Sequence, residues 1–331
     1  MSHDKLAQYE KIGEAELRKH VDFIPFAEVI NRAMTELDAT NPEDILSFGY
    51  EWMDEKMTGI FPGDLILIGG ESGTGKTTFA TNIVYKSARK HRCSIFALED
   101  RLNNYGINAV YFELGRVRKG LGLKNYPWNA YRRNEITDPT YKDLRAKAVA
   151  RLNDTGKSNI HFADVKVQMN IDMLEAAIDE QTALGTKLFL IDHLHYFDLS
   201  AGDSTKADYI EQLMVRLKGI QNRTGASIIL IAHYRKMNGQ KPTLDSFKDS
   251  IAIVHNSNYV INLWRDRSSS NLDDDEFSTR FQTKIMVPKS RNPNGEFTVD
   301  VTFDPGTNDF SNPETSYGTP SENNEPGNIQ L

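Results

Sequence analysis

Apolar and polar positions along this chain follow two rhythms. Unbroken aliphatic runs at Leu65-Ile66-Leu67-Ile68, Ser94-Ile95-Phe96-Ala97-Leu98, Leu188-Phe189-Leu190-Ile191 and Ser227-Ile228-Ile229-Leu230-Ile231-Ala232 read as strands buried on both faces. Between them apolar residues recur at helical spacing, as at Phe79, Ile83 and Val84, at Ile171, Leu174 and Ile178, and at Ile210, Leu213, Met214, Leu217 and Ile220. Strand alternating with helix predicts an α/β fold with a mostly parallel central sheet flanked by helices, and ligands at the carboxyl ends of the strands. Tyr259 to Trp264 reads as a further strand. Residues 280–287 and 297–303 read as late antiparallel strands around Asn292-Pro293-Asn294-Gly295.

The two ends of the chain break this rhythm. Residues 1–44 carry helical stripes, Leu6, Tyr9 and Ile12 and then Phe26, Val29, Ile30 and Met34, but are too few for a domain. They are expected to form a helical arm that packs on the chain's own core or docks on a neighbouring subunit. Residues 45–304 form the expected main domain, and 305–331, rich in Asn, Pro, Gly, Ser and Glu, an expected disordered acidic tail. In the helical region 101–157 the basic residues Arg116, Arg118, Lys119, Lys124, Arg132 and Arg133 cluster, which reads as a solvated face in preference to a phosphate-binding one.

Composition narrows the class. The net charge of the 331 residues is −7, five of the carboxylates (Asp304, Asp309, Glu314, Glu322, Glu325) lie from Asp304 onward, and the rest is near neutral. That balance neither supports nor excludes a nucleic-acid partner. One cysteine, Cys93, excludes a disulfide framework and suits a reducing compartment. No stretch approaches a membrane span, and the first apolar cluster, Phe23 to Phe26, follows charged residues and is short for a signal peptide, so a cytoplasmic location and no membrane partner are expected.

The sharpest motif lies between the first aliphatic strand and the helix after it. Gly70-Glu71-Ser72-Gly73-Thr74-Gly75-Lys76-Thr77, followed by Thr78, has the spacing of a P-loop and the strand and helix that loop requires. Its backbone N–H groups would cradle phosphates of ATP or another nucleoside triphosphate, Lys76 would reach the β- and γ-phosphates, and the Thr77 hydroxyl would bind Mg²⁺. Three polar residues directly follow apolar strands and should converge there: Glu99, Asp192 and His233. Asp192 fits a second Mg²⁺-side residue, Glu99 the base that orients water, with Asp100 its nearest rival, and His233 a γ-phosphate sensor. His193 and His195 beside Asp192 suggest a zinc site only weakly, because no third ligand is apparent. Lys289 and Arg291, in Lys289-Ser290-Arg291, fit either ordinary surface chemistry or basic residues reaching a neighbouring subunit's nucleotide.

Together these segments resemble the RecA-like motor domain of DnaB-type replicative helicases, especially the phage and mitochondrial branch. The resemblance rests on Gly70 to Thr77, the Phe-Ala-Leu-Glu ending at Glu99, Leu188-Phe-Leu-Ile-Asp-His, Ile229-Leu-Ile-Ala-His-Tyr-Arg-Lys, and Lys289-Ser-Arg in Val287-Pro-Lys-Ser-Arg-Asn-Pro-Asn-Gly. It implies a homohexameric ring that hydrolyses ATP with Mg²⁺ at subunit interfaces, moves on single-stranded DNA and works with a replication or primase partner. It implies the base role for Glu99, sensor for His233, and trans-acting roles for Lys289 and Arg291. It also implies DNA-contacting loops after the second and third chemistry-bearing strands, where Lys206, Arg235, Lys236, Lys241 and Lys248 are the basic residues. A RecA-like regulatory or recombination-type ATPase that unwinds nothing is the alternative.

Overall fold

The computed structural model describes residues 23–154, 159–194, 206–234, 240–247, 251–265, 282–291 and 295–311. The chain divides into two compact units between Asp44 and Ile45. In the first unit, helix α1 (Phe26–Ala39) starts after Pro25 at its N-cap. Its Phe26, Val29, Ile30, Met34 and Leu37 form one apolar stripe, and all five are exposed.

In the second unit nine strands, counted among the described residues, form one sheet. They are β1 (Leu65–Gly70), β2 (Arg92–Ala97), β3 (Ile160–Ala163), β4 (Thr186–Asp192), β5 (Ser227–His233), β6 (Tyr259–Trp264), β7 (Gln282–Ser290), β8 (Phe297–Asp304) and β9 (Asp309–Ser311). Their order is β3-β2-β4-β5-β1-β6-β7-β8-β9. The first six run parallel, and β7, β8 and β9 extend the edge in antiparallel fashion. The mostly parallel sheet and its late antiparallel strands are as the sequence predicts.

Helices α2 (Glu51–Met57) and α3 (Lys76–Ser87) cover one face, and α7 (Ile171–Ala183), α8 (Lys206–Thr224) and α9 (Ile251–Asn256) the other. The segment between β2 and β3 supplies α4 (Leu102–Gly120), α5 (Trp128–Arg132) and α6 (Tyr141–Asp154). Successive strand residues point to opposite sides, so Ile66 and Ile68 join Met53, Phe79 and Ile83 in one core, while Leu65 and Leu67 join Ile178, Leu213 and Leu217 in the other. Leu114, Val117, Tyr126, Tyr141 and Leu144 make a small third cluster that holds α4 to α6.

Two boundaries shift from those read in the sequence. The helix after the P-loop begins at Lys76, a turn before the apolar stripe that opens at Phe79. Strand β2 starts at Arg92 and ends at Ala97, after which Leu98 and Glu99 turn to donate their N–H groups to the Asp192 carbonyl at 2.7 and 3.1 Å.

The expected disorder from Pro305 is corrected over 305–311. Here β9 pairs with β8, and Phe310 is buried with ring centroids 5.4 Å from Phe79 and 5.1 Å from Phe303. Asn82 donates to the Asn308 carbonyl, and Lys86 pairs with Asp309 at 3.2 Å. The preceding turn lies so close to α4 that a Cβ on Gly115 would sit 1.9 Å from the Gly306 carbonyl oxygen. One large aromatic with polar anchors on α3 thus outweighs the polar composition around it. Residues 312–331 lie outside the described residues.

At the start of β1, Asp64 is buried and accepts the Phe61 N–H at 2.8 Å. Burial raises its pKa from 3.8 to about 6, against that N–H and the positive charges of Lys218 and Arg291. A carboxyl whose folded pKa is raised favours folding below its unfolded pKa, and that contribution is lost as pH rises through about 6. Asp64→Asn keeps an acceptor for Phe61 and removes the charge. Urea unfolding from pH 3.5 to 7 should therefore show the variant drawing ahead of wild type across this window, by on the order of 2 kcal/mol at pH 7. A constant difference between the two proteins would refute the assignment.

Candidate nucleotide-binding and hydrolysis site

The P-loop spans the turn from β1 to α3. Gly73 and Gly75 have φ of 76° and 94°, a left-handed region that glycine enters without steric cost, and Gly75 is the N-cap of α3. The loop closes on the Glu71 carbonyl, which accepts from the Thr74 hydroxyl at 2.8 Å and from Lys76 Nζ at 3.0 Å. Lys76 is only 6% exposed, and burial lowers its pKa against the opposing charges of Glu99, Asp192 and Glu71.

Strand order then collects the chemistry. In the run β2-β4-β5-β1, Ala97 pairs with Asp192, Ile191 with Leu230, and Gly70 with His233. The parallel register thus sets Glu99, Asp192, His233 and the P-loop side by side, as their strand-end positions predict. A cavity of about 480 Å³ is lined there by Thr77, Thr78, Glu99, Asp100, Tyr105 and Asp192. A larger one of about 970 Å³ opens on the α4 side beside Tyr111, Trp128 and Pro305, and holds none of the P-loop or strand-end residues.

Asp192 is 1% exposed. Burial raises its pKa, while the Tyr105 hydrogen bond, the nearby Thr77 hydroxyl and the charge of Lys76 oppose the rise. The Tyr105 hydroxyl donates to Oδ2 at 2.8 Å, and Oδ1 is buried with no hydrogen-bond partner. A buried carboxylate oxygen of this kind beside the Thr77 hydroxyl fits the all-oxygen coordination that Mg²⁺ takes. Glu99 stands at the cavity rim with its side chain 41% exposed. Burial, then Asp192, raises its pKa, Lys76 lowers it, and Asp100 adds to the rise. That suits a group that must accept a proton from water.

His233 meets His193, with the two Nε2 atoms 2.9 Å apart, and His193 Nε2 lies 3.6 Å from Glu99 Oε2. Glu99 and His233 thus stand beside His193 in space, where the sequence offered it no third ligand. His195 lies outside the described residues.

Lys289 and Arg291 are not brought to this cluster. Ser290 pairs with Tyr259, the first residue of β6, and Tyr259 pairs with Ile66 near the start of β1. They thus sit at the amino-end edge of the parallel strands. Lys289 Nζ donates to the carbonyls of Val254 and His255 at 2.6 and 3.0 Å, near the carboxyl end of α9. The Arg291 N–H donates to Asn258 at 3.2 Å. Of the DNA-contact candidates, Lys206 opens α8 and Lys241 is exposed. Arg235, Lys236 and Lys248 lie outside the described residues.

Two residues at the site escape the sequence reading. Tyr105 reaches Asp192 from the first turn of α4, with no signal in its spacing. Arg265 directly follows β6, so the strand-end rule applied to Glu99, Asp192 and His233 would have found it. Its guanidinium donates to the Gly73 carbonyl at 3.4 Å and to the Thr283 hydroxyl at 2.9 Å, and lies 5.7 Å from the Phe303 ring centroid.

Comparison with known proteins agrees with this layout. The sequence profile of the DnaB-like helicase C terminal domain matches residues 46–312. A probable replicative DNA helicase of Trieres chinensis is 24% identical over 86% of this chain and 62% of its own length. A DNA helicase/primase of Enterobacteria phage T3 is 23% identical over 62% of this chain and 34% of its own. The chain thus spans less than two thirds of these curated relatives. Among solved structures, one ATPase domain superposes with a TM-score of 0.70 at 16% identity, covering 88% of this chain and 99% of that one. A DnaB-like replicative helicase, solved in a study of its interactions with primase, superposes with a TM-score of 0.69 at 17% identity over 93% of this chain and 70% of its own. The fold is RecA-like.

Tyr105 holds Asp192 through its hydroxyl. Tyr105→Phe should lower apparent Mg²⁺ affinity, measured with nucleotide at saturation, by about tenfold, the usual cost of losing a group that holds a metal ligand. Nucleotide affinity measured in EDTA should stay the same. Equal losses in both measurements would mean that the hydroxyl supports only the fold.

Proposed function

The chain belongs to the DnaB-like helicase C-terminal domain family, and from that premise we propose that it is an ATP-driven DNA translocase and helicase whose active sites are completed between subunits of a hexameric ring. The observation that carries this reading is the separation of its basic residues. Lys76, Thr77, Glu99, Asp192 and His233 gather at one end of the strands, and Lys289 and Arg291 lie at the other. A strand of six residues spans about 20 Å, beyond the reach of an arginine side chain. Arg291 therefore serves a nucleotide held by an adjacent subunit.

In this mechanism the P-loop amides and Lys76 bind the triphosphate of ATP. Mg²⁺, when bound, would neutralise charge on the β- and γ-phosphates, and Thr77 and Asp192 are the residues to hold it. Glu99 orients water and takes its proton, His233 contacts the γ-phosphate, and Arg291 of the next subunit stabilises charge on the transferred group. Arg265 and Phe303, a guanidinium and an aromatic face beside the P-loop, offer surfaces on which a base can stack. The arm, residues 1–44, docks through the exposed stripe of α1 on a neighbouring subunit, 45–311 is the motor, and the segment beyond 311 is an acidic tail. Single-stranded DNA runs past the loops that follow β4 and β5, with Lys206, Arg235, Lys236, Lys241 and Lys248 as its electrostatic contacts. A primase or other replication protein is the expected partner, in the cytoplasm.

The ring is tested by mixing two inactive proteins. Lys76→Ala should abolish hydrolysis, and Arg291→Ala should reduce kcat by about a thousandfold, as loss of an arginine finger does. Mixed rings contain interfaces with Lys76 from one subunit and Arg291 from the next, so DNA-stimulated ATPase should partly return. No recovery in rings shown by sedimentation to be mixed would overturn the trans assignment. Hydrolysis without unwinding of a forked duplex would leave the regulatory ATPase in its place.

A further inference from the structure

The contact between Glu99, His193 and His233 has the composition and spacing of a metal site unlike the oxygen site at Thr77 and Asp192. Each residue offers one ligand atom, and the three atoms lie within 4.8 Å of one another. His233 Nε2 is 2.9 Å from His193 Nε2, which is 3.6 Å from Glu99 Oε2. Tetrahedral zinc with bonds of about 2.0–2.1 Å sets its ligands ~3.3 Å apart, so the two separations from His193 are within about 0.4 Å of what the ion requires, and the third, from Glu99 to His233, is no more than 4.8 Å. The three residues stand at three adjacent strand ends and are held from behind. Glu99 is tied by its N–H to the Asp192 carbonyl, His193 follows Asp192 and is 4% exposed, and His233 ends β5.

We propose that Glu99, His193 and His233 form a binding site for a transition-metal dication of the Zn²⁺ class. Two imidazole nitrogens and one carboxylate select zinc or cobalt over Mg²⁺, which prefers oxygen donors and keeps its waters. Three protein ligands leave a fourth position open toward the cleft. The consequence for activity rests on the proposed hydrolytic function. An ion here takes the Glu99 carboxylate away from water and the His233 nitrogen away from phosphate, so occupancy stops turnover.

Binding is tested first without nucleotide, on full-length protein stripped with EDTA. Titration with Co²⁺ should give the intense visible absorption of a tetrahedral site, saturating at one equivalent and abolished by Zn²⁺ but not by excess Mg²⁺. Competition against a chromophoric chelator should show Zn²⁺ affinity falling by more than about tenfold in His193→Asn and again in Glu99→Gln. Circular dichroism and thermal melting should show both variants folded. A weak octahedral cobalt spectrum, displacement by Mg²⁺, or equal Zn²⁺ affinity in folded variants would overturn the site. ATPase assays in excess Mg²⁺ test the consequence, with inhibition expected in step with Zn²⁺ occupancy and reversed by the chelator. An uninhibited ATPase at full occupancy would overturn the regulatory claim. A protein that binds Zn²⁺ but never hydrolyses ATP would sink the proposed function and leave the site standing.

Discussion

Two backbone hydrogen bonds, from the N–H groups of Leu98 and Glu99 to the carbonyl of Asp192, fix where the chemistry of this molecule can occur. They carry the chain from the end of β2 across the end of β4, and so bring the Glu99 side chain to the carboxylate of Asp192. What sets those bonds is remote from them. Ile95 belongs to one core and Phe96 to the other, and the same division runs through Leu190 and Ile191 on β4. Slipping β2 by one residue would send each side chain into the wrong layer and turn Glu99 away from the cleft. Hydrophobic patterning along the strands therefore positions a polar residue just beyond them.

The electrostatics of the cleft follow from that placement. Lys76, Asp192, Glu99 and Asp100 share it, one positive charge against three negative, and burial raises the pKa of Asp192 and Glu99 and lowers that of the lysine. The carboxylates of Asp192 and Glu99 repel each other, and Lys76 offsets part of that cost for both. The residual negative charge disfavours a bare triphosphate and favours one that arrives with a divalent cation. Further positive charge exists in Lys289 and Arg291, but their strand order places it at the other end of the sheet. The fold thus holds these two basic residues apart from the P-loop along the strand axis.

How much of this the sequence shows depends on how local the cause is. The P-loop and the polar ends of β2, β4 and β5 are legible because an aliphatic run marks each strand and the next residue must lie at its carboxyl end. Tyr105 is not, since its contact depends on how α4 crosses the sheet. The position of Arg291 is illegible for a similar reason: β6 pairs with β1 although about 190 residues separate them, a pairing that periodicity cannot reveal. Strand β9 is three residues long, too short for a period, and its anchor Phe310 disappears into the average composition of a polar tail.

His193 shows what the strand-end rule leaves out. Adjacency to Asp192 marked it only as half of a weak histidine pair, yet in space it lies between Glu99 and His233. His193 is buried, and its Nε2 lies 2.9 Å from His233 Nε2 and 3.6 Å from Glu99 Oε2, so one ring packs against both. Glu99 and His233 are thus not independent groups that happen to share a cleft. They are two ends of a three-residue contact held by adjacent strands.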